Sequence, residues 1–190
     1  MKRNLLPPAL TLLALTLCCL TTAVYPFHRG ADKGDEKKKA EKKGEEKSRL
    51  LAVGGPAPEW KLTDSEGREH ALSEYRGRVV VLDFWATWCG PCAKVMPGME
   101  KLRKKYGERG VVVFGVNSWE TGDPVAMMKK KGFTYGLLLK GEEMAPSYGV
   151  TSLPVVYVIG TDGRVAYSHA GPEQKGLAEL IEKQLADQGK

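Results

Sequence analysis

Residues 79 to 85, Val-Val-Val-Leu-Asp-Phe-Trp, hold six apolar side chains and a single charge. A continuous apolar run of this length, rich in β-branched residues, is the signature of a strand buried on both faces, which needs helices or other layers on either side. The residues that follow fit that demand. An amphipathic helix is predicted from about Pro91 to Arg109, with Val95, Met99, Leu102 and Tyr106 on one stripe and Gly110 closing it. A second buried strand follows at Val111 to Asn117. A short helix then runs from Pro124 to Lys131, with Asp123 as cap and Pro124 at its first position. Leu137 to Lys140 reads as a weak strand. Leu153 to Ile159 and Arg164 to Ser168, joined by Gly160-Thr161-Asp162-Gly163, read as an antiparallel hairpin, and Pro172 to Gln188 as a closing helix. Upstream, Trp60 to Thr63 and Arg68 to Leu72 flank the turn Asp64-Ser65-Glu66-Gly67 as a small N-terminal hairpin. The order describes an α/β sandwich with a mixed central sheet.

The first 49 residues have a different character. Leu5 to Val24 carries no charge, follows Lys2 and Arg3, and contains the leucine-rich stretch Ala9 to Leu20. This is the pattern of a secretory signal or membrane anchor, with Thr21 and Ala23 at the small-residue positions of a cleavage site. A lipoprotein signal ending at Cys18 is a third possibility, opposed by the bulky Leu17 before it. All three place the rest of the chain outside the cytoplasm. Residues 24–49 are almost without apolar side chains from Arg29 onward, so they are expected to be a charged, solvated linker. The expected organisation is therefore a targeting segment over 1–23, a linker over 24–49 and one domain over 50–190. The chain's net charge of +6 resides mostly in the first 49 residues, which carry +5, leaving +1 for the domain. That distribution argues against a nucleic-acid-binding face, which needs cations clustered on a folded surface.

Four cysteines are present, and Cys18 and Cys19 fall in the targeting segment. The domain keeps only Cys89 and Cys92, separated by Gly90 and Pro91, so a framework of structural disulfides is excluded. Zinc would need four ligands, and only His28, His70 and His169 are available besides the pair. No metal site is expected. The position of the pair, between a buried strand and the start of a helix, is what makes it reactive. Unpaired N–H groups and the helix dipole stabilise a thiolate there, which makes Cys89 the nucleophile. Cys92, one turn further, points inward as the resolving thiol that closes a Cys89–Cys92 disulfide. Trp88 is read as an apolar rim on which partner proteins dock, against the plainer reading of a surface aromatic.

The segment VVLDFWATWCGPC resembles the active-site strand and motif of the thioredoxin superfamily, and Val53 to Gln188 resembles its extracytoplasmic TlpA/ResA-like branch. Pro97, five residues after Cys92, stands where that family kinks its active-site helix. Leu153-Pro154 resembles the family's cis-proline loop, whose backbone lies against the cysteines and pairs with a substrate strand. Gly171 matches the turn into the last helix, and Ser118 to Gly149 matches the inserted segment of this branch. The resemblance implies a three-layer thioredoxin-like sandwich with an N-terminal hairpin and an inserted helix and strand. It also implies a role for Asp83, six residues before Cys89, because the matching acid in thioredoxin relays a proton to the resolving cysteine. The plainer alternative is an Asp that caps a turn. Some members carry a buried Glu three residues past the second cysteine; Val95 stands there, so a relay must rest on Asp83.

The resulting expectation is a monomeric, extracytoplasmic thiol–disulfide oxidoreductase without a cofactor beyond its redox-active cysteine pair. It would reduce protein disulfides and be recharged by a membrane thiol reductant, with cytochrome c maturation among its open settings. Cys89, Cys92 and Asp83 would be catalytic, and Trp88, Gly90, Pro91, Leu153 and Pro154 would contact the substrate. One competing reading is a copper metallochaperone holding Cu(I) on the same pair, with His169 as a distant helper. Another, a peroxidase of the peroxiredoxin kind, shares the fold but needs a peroxidatic Cys in its own Thr and Arg pocket, which Thr87-Trp88-Cys89-Gly90-Pro91-Cys92 does not resemble.

Overall fold

A computed structural model describes residues 50–187. Its elements run β1 (Lys61–Thr63), β2 (Glu69–Ala71), β3 (Val80–Trp85), α1 (Cys92–Tyr106), β4 (Val112–Asn117), α2 (Pro124–Lys131), β5 (Gly136–Leu138), β6 (Val155–Ile159), β7 (Val165–Ala170) and α3 (Leu177–Ala186). The targeting segment, the linker, Cys18, Cys19 and His28 lie outside the described residues, as does the predicted helix end at Gln188.

The apolar run is the centre of the fold. All six residues of β3 are buried, and the strand sits in the middle of a five-stranded sheet ordered β5-β4-β3-β6-β7. β4 and β5 run parallel to their neighbours, whereas β6 and β7 are antiparallel, so the sheet is mixed as expected. Alternation along β3 divides the core in two. Val79, Val81 and Trp85 face a cluster built with Val95, Met99, Leu102 and Tyr106 of α1, Met128 of α2, and Leu177 and Ile181 of α3. Val80, Leu82 and Phe84 face Trp60, Leu62, Phe114, Tyr148 and Tyr157. All three helices thus cover one face. The third layer is the β1–β2 hairpin with 3-10 turns at Leu72–Tyr75, Gly141–Glu143 and Ala145–Tyr148, none of which the sequence pattern announced.

Several predicted boundaries move, each for a local reason. α1 begins at Cys92 and gives way to a 3-10 turn at Gly107–Arg109, with Gly110 left-handed at φ 91°. The closing helix starts at Leu177, five residues later than predicted, because Gly176 takes φ 73° and cannot be part of a right-handed helix. The last strand extends past Ser168 through His169, which pairs with Val156, so that histidine lies within β7 and not beyond it. β5 begins at Gly136 and stops at Leu138, two residues before Lys140, which adopts φ 56°.

Candidate active site

β3 delivers the chain to the site. After Trp85 the backbone turns, with Cys89 N–H donating to the Ala86 carbonyl at 3.2 Å, and Pro91 then leads into α1 at Cys92. Cys89 and Cys92 are joined as a disulfide with Cα atoms 5.3 Å apart. Cys92 is wholly covered, in keeping with the inward position expected of it, whereas Cys89 keeps 5% of its surface. Cys89 precedes the helix by three residues, and the first helical N–H, that of Cys92, donates to Cys89 Sγ at 3.2 Å. That donor favours negative charge on Cys89 in the reduced state. Gly90, Pro91 and Trp88 are exposed around it.

Asp83 lies on the α1-facing side of β3, opposite Gly115 of β4 and Val156 of β6. It has no solvent exposure, and neither carboxylate oxygen has a hydrogen-bond partner. Burial therefore pushes its pKa up to about 8. The turn-capping alternative is not met, since a cap would engage those oxygens. Gly115, opposite Asp83, leaves room for two aromatic neighbours: a Cβ there would stand 2.6 Å from Trp85 Nε1 and 2.9 Å from the Tyr135 ring. Those two side chains also carry buried, unpartnered polar atoms, Trp85 Nε1 and the Tyr135 hydroxyl. Desolvation, followed by the nearby Asp83 charge, raises the Tyr135 pKa far above the usual phenol value. A buried acid whose pKa is shifted close to neutrality is a candidate for proton transfer.

The peptide bond between Leu153 and Pro154 is cis. Leu153 is partly buried and packs against both core clusters, one of which includes the two cysteines. The Pro154 carbonyl accepts from Gly171 N–H at 2.9 Å, which ties the loop to the turn at Gly171.

Glu120 is the residue that sequence reasoning missed. Its carboxylate accepts from Thr87 N at 2.9 Å, Thr87 Oγ1 at 2.5 Å, Asn117 Nδ2 at 2.6 Å, Thr121 N at 2.8 Å and Gly122 N at 2.7 Å. Burial works to raise its pKa, but these bonds outweigh it and bring the value to about 2. Glu120 thereby fastens the inserted segment to the loop two residues ahead of Cys89. Trp88 Nε1 donates to the Trp119 carbonyl at 2.8 Å, a second tie between the same two loops. No periodicity or motif marks either residue.

Among the described residues no group of three or more His, Cys, Asp or Glu side chains is arranged to hold a metal ion. The His169 ring is tilted against Tyr167, with centroids 6.1 Å apart.

Residues 53–168 match the model of the AhpC/TSA family. The thiol-disulfide oxidoreductase ResA of Geobacillus thermodenitrificans is 39% identical over 120 residues, spanning 60% of this chain and 67% of that protein. A putative thiol:disulfide interchange protein DsbE from Chlorobium tepidum has a similar solved structure, with TM-score 0.65 and 31% identity over 71% of this chain and 99% of that one. The pneumococcal exposed lipoprotein thioredoxin of Streptococcus pneumoniae is similar with TM-score 0.54 and 28% identity, covering 68% of this chain and 99% of that one.

Proposed function

This chain belongs to the AhpC/TSA family and is a thiol–disulfide oxidoreductase on a thioredoxin-like fold, and from that premise we propose that it reduces protein disulfides outside the cytoplasm. The carrying observation is the Cys89–Cys92 disulfide at the mouth of α1, with the unpartnered Asp83 in the strand beneath. In the reduced protein, Cys89 thiolate attacks one sulfur of a substrate disulfide. The substrate S–S bond breaks, a Cys89–substrate bond forms, and the first substrate thiolate leaves and takes a proton. Asp83, in the fraction ionised near neutral pH, accepts the Cys92 proton. The Cys92 thiolate then attacks Cys89 Sγ, closing the internal disulfide and expelling the second substrate thiolate, which is protonated in turn. Two electrons and two protons pass to the substrate, and the reaction needs no bound cofactor.

Trp88, Gly90 and Pro91 would form the contact surface, with a substrate strand lying along Leu153 and Pro154. An uncharged N-terminal stretch from Leu5 to Val24 supports export, in keeping with an exposed lipoprotein among the similar structures. The domain would act as a monomer, recharged by a thiol reductant in the membrane, and cytochrome c maturation is one setting for such a reductant. The dipeptide Gly90-Pro91 brings no charged side chain to stabilise the Cys89 thiolate further. The reduced form is then not unusually favoured, and a potential nearer thioredoxin's, about −270 mV, than DsbA's, about −120 mV, is expected.

Reduced protein should cleave a peptide disulfide stoichiometrically. Cys89→Ser should abolish this, and Cys92→Ser should stall as a mixed disulfide seen in the intact mass. If Cys89→Ser is the variant that stalls, the two roles are reversed. Equilibration with a dithiol buffer measures the potential, and a value above about −180 mV would make the protein a disulfide donor.

A further inference from the structure

Four large apolar side chains stand out from the surface among the described residues: Val53, Trp88, Trp119 and Val125. Trp88 directly precedes Cys89 and is hydrogen-bonded to the backbone of Trp119. Trp119 adopts φ 52°, the left-handed region in which a side chain crowds the following carbonyl and glycine is the unstrained residue. That conformation is imposed from three sides. The Trp119 N–H donates to the Glu142 carboxylate at 3.1 Å, the carbonyl receives the Trp88 indole, and Glu120 is fixed by its own five bonds. Each of these bonds engages the backbone of Trp119 or its neighbour, and the side chain itself remains 40% exposed. Strain at a position that adds little to core packing points to a function for what the position displays.

Exchange requires a substrate sulfur in bonding contact with Cys89 Sγ, and Cys89 is only 5% exposed. The substrate chain must therefore cover the surface around Cys89, and the two indoles are its large apolar component. Exposed aromatic anchors beside such a contact dominate selectivity, because they offer large area at small entropic cost. The carboxylates of Glu120 and Glu142, both bonded into this loop, oppose an acidic partner.

We infer that Trp119 is a specificity residue of the exchange reaction, which with Trp88 selects substrate chains carrying an aromatic or long aliphatic side chain beside the half-cystine that Cys89 attacks. The inference rests on the reading of Cys89 as nucleophile. It is tested with the reduced full chain in single turnovers against peptide disulfides that differ only in the flanking residue: Phe, Leu, Gly or Asp. Wild type should react with the Phe and Leu peptides about tenfold faster than with the Gly peptide, and slowest with Asp. Trp119→Gly, which suits the positive φ and keeps the backbone hydrogen bonds, should reduce the Phe-to-Gly ratio to about twofold or less. Trp119→Phe should restore most of it. A ratio preserved in Trp119→Gly, or lowered equally in Trp119→Phe, would overturn the proposal. Hydroxyethyl disulfide, which has no side chain to select, reports the chemistry separately: failure of wild type to cleave it would bring down the oxidoreductase mechanism itself.

Discussion

Asp64 and Asp83 are both buried, at 6% and 0% exposure, yet they have opposite chemistry. Asp64, in the turn after β1, accepts from Glu66 N at 2.8 Å, Arg68 N at 2.9 Å, Arg68 Nε at 3.1 Å and His70 Nε2 at 2.8 Å. Desolvation would raise its pKa, but the His70, Arg68 and Glu66 bonds prevail and hold it well below the usual carboxylate range. Asp83 meets only the desolvation, and its pKa rises to about 8. Burial therefore does not decide whether an acid is charged; the supply of donors does. Asp64 is a permanent anion that fastens the hairpin, whereas Asp83 is an unpartnered carboxyl whose proton is held by burial.

The comparison is broken most directly at Asp83. A carboxyl with a raised folded pKa favours the fold fully below its unfolded value of 3.8, and that contribution is lost as pH rises through 8. The loss is about 1.4 kcal/mol per pH unit, or roughly 4 kcal/mol by pH 7. Asp83→Asn should remove this slope. Its buried amide also lacks partners, at a cost of about 1 kcal/mol, so in urea unfolding of the oxidised form the variant should exceed wild type by about 3 kcal/mol at pH 7 and fall about 1 kcal/mol below it near pH 4. The same variant should resolve mixed disulfides at least about a hundredfold more slowly near neutral pH, since the proton acceptor is gone. A wild-type stability curve that is flat from pH 4 to 8 would place solvent or a donor at Asp83.

Asp64→Ala should act in the opposite direction, destabilising by about 3 kcal/mol at pH 7 because His70 and two backbone N–H groups lose their acceptor. A depressed folded pKa contributes stability above 3.8 that disappears on acidification, so this difference should shrink as pH falls below about 4. Unfolding titrations at pH 7 and pH 3 measure it, and equal differences at both would mean that Asp64 is held by shape and not by charge. The smallest effect is expected from Tyr135→Phe. Removing an unpartnered buried hydroxyl should stabilise the oxidised protein by about 1 kcal/mol. A loss of that size would instead reveal a hydrogen bond from Tyr135 that serves Asp83.

The parts of this protein that are legible in sequence are those with a local pattern. The unbroken apolar run announces β3, the C-G-P-C spacing announces the reactive pair, and the lone charge at Asp83 stands out against its apolar neighbours. Helix ends were less legible, because Gly176 could have continued the closing helix and only its backbone angle stops it. Asp64 read as an ordinary turn residue, since nothing in Asp-Ser-Glu-Gly indicates that His70 will fold back on it or that Asp64 will bridge to Leu138 at the sheet edge.

The sequence by itself determined a central strand buried on both faces, a dithiol at a helix entrance and a carboxyl committed to an apolar strand. These follow from periodicity and spacing, which act between near neighbours. Only the tertiary structure decided that Glu120 clamps Thr87 from 33 residues away, that Trp119 is held in a left-handed conformation bonded to Trp88, and that one buried aspartate is charged while the other holds its proton. The physical reason is that hydrogen-bond donors and desolvation come from whatever the fold brings close, and a side chain's electrostatic state is set by that company more than by its own identity.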